Sequence, residues 1–436
     1  MSAFVILFSA AIFSFAINKQ LFLKLFTLTS LLVAAYFTLT HHVTPLSGFT
    51  LSSAALFFES IVFIVLFAVI MSESDSLTIT QTLFIGSASI LLLESDTLLS
   101  FILSFEALSI ISFVLVSHIE DKNQAEGAVK MFISGAIATG LILFGLALFT
   151  LDGHDFTQPL SGTFSTYSTA ALLIVLMGIF YKLTIVPMHS WAVDGYSLIR
   201  PSHAAILSGV AKTVVAVGAF KIFLPFLQIE LHVSTPLLII LSVITMTLGN
   251  VLALYQTNVA KILAYSSIAH AGYMLLAFVA VKSSYAPYGL LYLAVAYIFM
   301  QSAAFLWLGL FQRKVVTLDM LKGLGAKHPS IAFFLTVQLF SLAGIPLLAG
   351  FLGKAVAVYA VVDAGFWMVA LIALLNSALS VGYYAWIVKH LYFDTANSEA
   401  VSLSWSVSAS VSQIILLAGT LYFGLYAFSI FGVSFG

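Results

Sequence analysis

Residues 181–212 read YKLTIVPMHSWAVDGYSLIRPSHAAILSGVAK, a proline-interrupted apolar helix with Lys182 before the break and Lys212 deep in the helix that follows. Hydrophobic residues make up 61% of the 436 positions and charged ones 8%, so nearly every charge belongs in a loop. A lysine inside an apolar run costs about 2.5–3.5 kcal/mol on insertion scales, and such a residue marks a functional site by default. Mean hydropathy is +1.13. Together with repeated apolar runs of about 20 residues, that places the chain among all-α polytopic membrane proteins. The run from Ser2 to Ile17 has no basic residue ahead of it and no small-residue cleavage site behind it, so it is expected to be a retained first helix. With no cysteine there is no disulfide, cysteine-ligated zinc or iron–sulfur cluster, or thiol nucleophile. No metal-ligand cluster and no basic patch for nucleic acid stands out. The net charge of −1 points to neither.

Apolar runs between charged or Pro/Gly-rich breaks predict fourteen transmembrane helices. They fall near 2–17, 21–40, 51–71, 77–93, 97–117, 126–150, 168–190, 202–224, 236–255, 258–280, 288–310, 330–360, 364–390 and 405–433. Loops and helix ends after odd-numbered helices hold Lys19, Lys24, Lys122, Lys130, Arg200, Lys261, Arg313, Lys314, Lys322, Lys327 and Lys389; those after even-numbered helices hold only Lys221 and Lys282. The positive-inside rule then puts both termini on the non-cytoplasmic side. Three basic residues remain inside predicted helices: Lys182, Lys212 and Lys354. Glu106 lies near the middle of the fifth helix (LLSFILSFEALSIISFVL), His270 near the middle of the tenth, and Glu59 in the third. The membrane interior is therefore expected to hold the sparse series Glu106, Lys182, Lys212, His270 and Lys354, with Glu59 as an outlier.

Two helices are broken. Pro187 follows Lys182 in the seventh, and in the twelfth SLAGIPLLAGFLGK places Gly344, Pro346, Gly350 and Gly353 ahead of Lys354. Proline removes a backbone donor and clashes with the preceding turn, and unwound backbone at membrane depth is tolerated only inside protein or beside a cavity. Matching breaks five helices apart predict two inverted five-helix repeats, helices 4–8 and 9–13. The implied divisions are an N-terminal three-helix segment (1–76), a first repeat (77–224), a second repeat (236–390) and a C-terminal helix (405–433). Burial disfavours a lysine's charged form and a nearby carboxylate favours it, so small movements make it take or release a proton. On that reasoning Glu106 and Lys182 form a pair whose separation sets proton affinity. Lys212 is the mid-membrane transfer point, His270 a bridge, and Lys354 the site that loads or empties toward the opposite face. The bland readings remain: snorkelling for Lys182 and Lys354, a structural counter-ion for Glu106, a packed histidine at position 270, and an outer vestibule for Glu59.

The segments FYKLTIVPMHSWAVDGY (180–196), GNVLALYQTNVAKILAYSSIAHAGYM (249–274), FSLAGIPLLAGFLGK (340–354) and LLNSALSVGYYAWIV (374–388) together resemble subunit N of proton-pumping NADH:quinone oxidoreductase, respiratory complex I. The resemblance spans roughly residues 80 to 395. The similar subunit L carries a long lateral helix, for which this chain is expected to have no room after the fourteenth helix. The resemblance implies a proton-translocating antiporter-like subunit, with Glu106, Lys182, Lys212 and Lys354 as its membrane glutamate and lysines. NAD, FMN, iron–sulfur clusters and quinone would sit on partner subunits, and the chain would catalyse no redox step alone. Neighbouring antiporter-like and small membrane subunits would be its partners, the bilayer its surroundings, and an energy-coupling membrane, the bacterial plasma membrane, its place. Glu59, Glu94 and the stretch GYSLIRPSH depart from the family pattern. The same residues leave open a subunit of a multi-subunit cation/proton antiporter, or a membrane subunit of a hydrogenase or other non-NADH dehydrogenase. A structural spacer is disfavoured, because a scaffold gains from replacing buried lysines with leucine.

Overall fold

The structure, a computed structural model, describes residues 2–17, 19–40, 48–117, 122–311, 315–395 and 403–426. Arg313 and Lys314 of the basic loops and residues 427–433 of the predicted last helix lie outside the described residues. The first seven helices are α1 (Ser2–Ser14), α2 (Gln20–Leu39), α3 (Ser53–Ser72), α4 (Ser76–Glu94), α5 (Leu98–Val116), α6 (Lys122–Leu151) and α7 (Thr166–Leu183). A short α8 (Ser190–Ser197) and α9 (Pro201–Ala204) lead through a π-helical turn, Ala205–Ala211, into α10 (Lys212–Ile229). Then come α11 (Leu231–Leu254), α12 (Val259–Val279) and α13 (Ala286–Leu308), and beyond a 3₁₀ turn (Leu318–Leu321) the one-turn α14 (Leu324–Lys327). The chain continues through α15 (Pro329–Ala343), α16 (Ala349–Asp363), α17 (Trp367–Tyr392) and α18 (Val407–Leu425).

Twelve of these helices are long and apolar enough to cross a membrane, and Ala3–Ser14 and Pro329–Ala343 are shorter apolar ones. The predicted seventh helix ends at Leu183 instead of reaching 190, and the short α8 begins only at Ser190. The predicted eighth runs further, through α9, the π turn and α10 to Ile229. The predicted twelfth is two half-helices, α15 and α16. Helix starts are fixed by short polar side chains that accept otherwise orphaned backbone donors. Asp75 caps α4 through Thr78 N, Ser165 caps α7, and Asn258 accepts from Ala260 N and Lys261 N at the start of α12. Thr97 and Ser100 cap α5 reciprocally.

α12 and α13 are buried along almost their whole length, whereas α2 and α6 present most of their surface outward. The core thus lies around α13, which packs on α16, α12, α18 and the π turn. Gly353 permits a close backbone approach between α16 and α13, since a Cβ there would lie 2.8 Å from Leu293 Cα.

The two breaks share one backbone design. Thr184 (φ 60°) and Gly344 (φ 90°) both end their helices in the left-handed region. The next amide reaches back in each case, Ile185 N to Phe180 O and Ile345 N to Phe340 O, both at 3.0 Å. This is the Schellman closure of a helix end, placed in the fourth helix of each repeat.

Candidate functional site

At the first break, backbone polarity is satisfied by neighbouring side chains. Val186 N donates to Thr245 Oγ1 on α11 at 3.1 Å, and Trp191 Nε1 on α8 donates to Tyr181 O at 3.2 Å. Lys182, 3% exposed in the last turn of α7, sends its ammonium to Ser112 Oγ on α5 at 2.9 Å and over the Phe113 ring. Glu106 is on the same helix as Ser112, six residues earlier and so about 9 Å along the axis. It is half-buried and accepts from Thr139 Oγ1 on α6 at 2.9 and 3.1 Å. The expected pairing of Glu106 with Lys182 is therefore open here: each finds a hydroxyl of its own. Glu106 sits midway along α5, beside a flank directed outward on which Leu103 and Ile110 are exposed.

Lys212 is fully buried at the point where the π turn passes into α10. A π turn within an α-helix shifts the side chains beyond it relative to those before it, and such turns concentrate at functional sites. The Lys212 ammonium donates to Thr184 Oγ1 at 2.8 Å, to Ser267 O at 3.1 Å and to Ser267 Oγ, which uses its three protons. Thr184 is the left-handed residue of the first break, so the break presents its own hydroxyl to the lysine of the next helix. The Tyr196 ring lies 5.5 Å from the same nitrogen.

From Ser267 the polar series continues. Tyr297 OH on α13 donates to Ser267 Oγ at 2.8 Å, and its ring centroid is 5.2 Å from that of His270. His270 Nδ1 is 3.0 Å from Ser266 O, while its Nε2 is buried with no hydrogen-bond partner among the described residues. Ser266 in turn pairs with Tyr384 OH. Lys354 on α16 ends the series. It donates to Leu342 O at 2.9 Å and Ala343 O at 3.1 Å, the orphan carbonyls that close α15, and reaches Ser377 and Ser380 on α17. A cation at a helix C-terminus is placed favourably against both the dipole and the free carbonyls. The Tyr273 ring lies 5.1 Å from its nitrogen.

Lys212, His270 and Lys354 are thus brought into one buried strip between the breaks, with Thr184, Ser267 and Tyr297 as its hydroxyls, while Lys182, buried on the first broken helix, turns to Ser112 on α5. Sequence reasoning missed those three, because hydroxyl residues are common in membrane helices and only the fold aims them at a lysine. It also placed Lys221 among the loops and helix ends. Lys221 is inside α10, its side chain 14% exposed and paired with Asp96 at 2.8 Å. Glu94, expected beside a loop, is 3% exposed, and His203 is 2% exposed against Thr78 Oγ1 at 2.9 Å. Glu59 is buried in α3 and apart from the strip. Among the described residues no group of three or more His, Cys, Asp or Glu is placed to hold a metal ion.

Comparison with known proteins shows the family and the fold. The family model described as NADH:quinone oxidoreductase/Mrp antiporter, TM matches residues 95–380. F(420)H(2) dehydrogenase subunit N of Methanosarcina mazei is 33% identical over 372 residues, covering 80% of this chain and 74% of that protein. NADH-quinone oxidoreductase subunit N of Trichlorobacter lovleyi is 32% identical over 355 residues, covering 79% and 73%. Among solved structures, a chain of respiratory complex I from Thermus thermophilus superposes with a TM-score of 0.86 at 24% identity over 100% of both chains. A chain of the Mrp complex from Dietzia sp. reaches 0.84 at 17% identity, over 97% of this chain and 93% of that one; at such identities the likeness is one of fold. A multi-span membrane protein with two broken helices and a buried lysine strip, this chain belongs to the NADH:quinone oxidoreductase/Mrp antiporter transmembrane family, among relatives named subunit N.

Proposed function

We propose that this chain is the proton-translocating, antiporter-like subunit of a complex I-type quinone oxidoreductase, carrying protons through Glu106, Lys182, Lys212, His270 and Lys354. The observation that carries this reading is the set of buried lysines themselves: Lys212 and Lys354 rest on a hydroxyl and carbonyls of the two helix breaks and Lys182 on Ser112 of α5, with no carboxylate bonded to them among the described residues. Such a cation is held by weak neutral partners, so a shift of Glu106 toward Lys182 changes which site keeps a proton. The breaks supply polar backbone that a rigid helix would keep to itself. Ser267 and Tyr297 lead from Lys212 toward His270, Ser267 by its hydroxyl and Tyr297 by a hydroxyl on Ser267 and a ring against the imidazole.

In this reading the redox groups, NAD, FMN, iron–sulfur clusters and quinone, belong to partner subunits, and this chain performs no electron transfer. Its partners are neighbouring antiporter-like and small membrane subunits. The basic loops face the cytoplasm of a bacterial plasma membrane and both termini the other side. The relative from Methanosarcina mazei belongs to an F(420)H(2) dehydrogenase, which favours one second reading: the same proton-carrying role with a donor other than NADH. The test is to isolate the native assembly through a tag on this chain, identify flavin and iron–sulfur absorbance, and reconstitute it in vesicles. NADH-driven quinone reduction with lumen acidification supports the proposal. A cofactor-free assembly that exchanges sodium for protons overturns it in favour of an antiporter.

A further inference from the structure

One face of α17 is polar where the rest of the helix is not. Ser377, Ser380, Tyr383 and Tyr384 recur there at helical spacing, while Leu375 and Leu379 are exposed on the other side. At the inner end of this stripe Ser377 and Ser380 accept from Lys354 Nζ at 3.3 and 3.5 Å. At its outer end Tyr383 lines a cavity of about 120 Å³, together with Gln256, Thr257, Ile262, Leu318 and Trp386. That volume has room for several waters. The cavity lies at the end of the molecule that bears the basic loops. Segments 257–259 and 316–318 pair beside it, Val259 N to Val316 O and Leu318 N to Thr257 O, both at 2.9 Å, and Lys261 and Lys322 follow them in the chain. From Tyr383 to Ser380 is about 4.5 Å along the helix axis, and to Ser377 about 9 Å. Two helical turns therefore separate the cavity from the hydroxyls that hold Lys354.

Tyr383 and Tyr384 fill that interval. They are 2% and 1% exposed, with ring centroids 4.3 Å apart, and they are held differently. The Tyr384 hydroxyl pairs with Ser266 on α12, the residue whose carbonyl faces His270 Nδ1. The Tyr383 hydroxyl donates to Asn250 Oδ1 on α11 at 3.0 Å, one turn inward from Ala253 and Leu254 of the cavity wall; Tyr384 and Ser266 also approach it. Asn250 commits its amide donors to Asn376, at 3.0 Å to the carbonyl and 3.1 Å to Oδ1, which leaves its own oxygen turned to the tyrosine. The ring that borders the cavity is thus held by neutral hydrogen bonds, which are modest in strength. We propose that the cavity is a water entrance to the second break and that Tyr383 is its gate. When Tyr383 leaves Asn250, water passes Ser380 and reaches the Lys354 ammonium, which then exchanges protons with the face that bears the basic loops. This entrance, which rests on the proton-carrying reading of the strip, gives Lys354 a side and Tyr383 the role of a positioning residue.

The chain has no cysteine, so Ser380→Cys places a single thiol on it that mass spectrometry reads in the intact complex, whatever cysteines the partner subunits carry. Sealed vesicles holding the complex are treated from one face with a membrane-impermeant methanethiosulfonate trimethylammonium reagent. Asp319→Cys, at a side chain 71% exposed in the loop ahead of α15, marks the face of the basic loops. The expected result is modification of Ser380→Cys from that face, slow with Tyr383 in place and roughly fivefold faster when Tyr383→Phe is added, the effect of one lost neutral hydrogen bond. Adding Tyr383→Ala instead, which removes the ring, raises the rate further. Modification from the opposite face alone, no modification in any variant, or one rate with and without Tyr383→Phe overturns the gate. If Tyr383→Ala fails to assemble, Tyr383→Phe keeps the ring and carries the test. These rates register water access rather than pumping. A failed label therefore removes the entrance and leaves the proton strip standing, whereas undiminished acidification by Lys212→Ala sinks the strip whatever the label shows.

Discussion

The two helix breaks have the same backbone and opposite ways of presenting a cation. At Thr184 the hydroxyl of the left-handed residue itself receives Lys212, which arrives from the following helix, while Lys182 on the broken helix turns away to Ser112. At Gly344 there is no side chain to offer. Lys354, from the second half of the same broken helix, folds back onto the bare carbonyls of Leu342 and Ala343. In the first repeat Trp191 donates to Tyr181 O, one residue ahead of the two carbonyls that correspond to those of Leu342 and Ala343. The difference teaches that the break, not the lysine's position in the chain, defines the polar spot: an interrupted helix exposes acceptors, and whichever lysine the packing delivers is held there.

Substituting the two lysines tests that view most severely. Lys212→Ala, in a complex verified to assemble, is expected to lower coupled proton flux roughly tenfold or more, since positioned proton-transfer groups contribute on the order of 10²–10⁴ in rate. Its partners Thr184 and Ser267 can re-pair locally, so thermal stability should change little; undiminished vesicle acidification would sink the strip as a relay. Lys354→Ala should lower flux as well and also destabilise, by about 1–3 kcal/mol, because two buried carbonyls lose their donor. Equal melting temperatures for the two variants would erase the distinction drawn between the breaks.

Exchanging the left-handed residues gives smaller effects of opposite character. Gly344→Ala forces a Cβ into φ 90° and within 3.2 Å of Lys354 Cδ, at a cost of about 1–2 kcal/mol for the left-handed conformation, so both stability and flux should fall. Thr184→Gly relieves that conformation while removing the Lys212 acceptor. The two terms offset to within about 1 kcal/mol in stability. Flux should still fall, roughly fivefold, as one hydrogen bond of about 1 kcal/mol is lost. Thr184→Ser, which keeps the hydroxyl, should retain activity, and a loss equal to that of Thr184→Gly would show that conformation, not the hydroxyl, matters.

The smallest effect is expected away from both breaks. The Lys322 ammonium, hydrogen-bonded to Asp319 at 2.5 Å in the loop ahead of α15, holds that carboxyl below the usual carboxylate range. Its contribution is present above the ordinary carboxylate pKa and is lost as pH falls through the lowered one. The pair is exposed, so Asp319→Asn should flatten the acid limb of a stability–pH profile only slightly and leave flux unchanged. A change comparable with that of Lys354→Ala would mean the loop is coupled to the break.

Much of this architecture is legible in the sequence, for reasons that residues such as Lys212 and Gly344 make plain. A lysine amid apolar helix is expensive wherever it sits, so composition alone isolates Lys182, Lys212 and Lys354. Proline and glycine restrict the backbone locally, so the breaks are visible before any packing is known. Glu106 shows the limit: its position midway along the helix is legible, but how far its side chain is covered depends on which flank of α5 meets α6. Lys221 and Glu94 show it again, since near a helix end the sequence cannot distinguish a solvated charge from one covered by the paired segments at 48–50 and 94–96.

What the sequence determined by itself was the membrane class, the helix order, the two interruptions and the burial of Lys182, Lys212 and Lys354, because these follow from transfer free energy and local backbone sterics. Only the tertiary structure decided what each ammonium touches. Thr184, Ser267 and Tyr297 come from three different helices, and their meeting at Lys212 and beside His270 depends on how those helices are rotated and on the π turn that precedes Lys212. Hydrogen bonding is directional and short-ranged, so a network built across helices leaves no trace in sequence spacing.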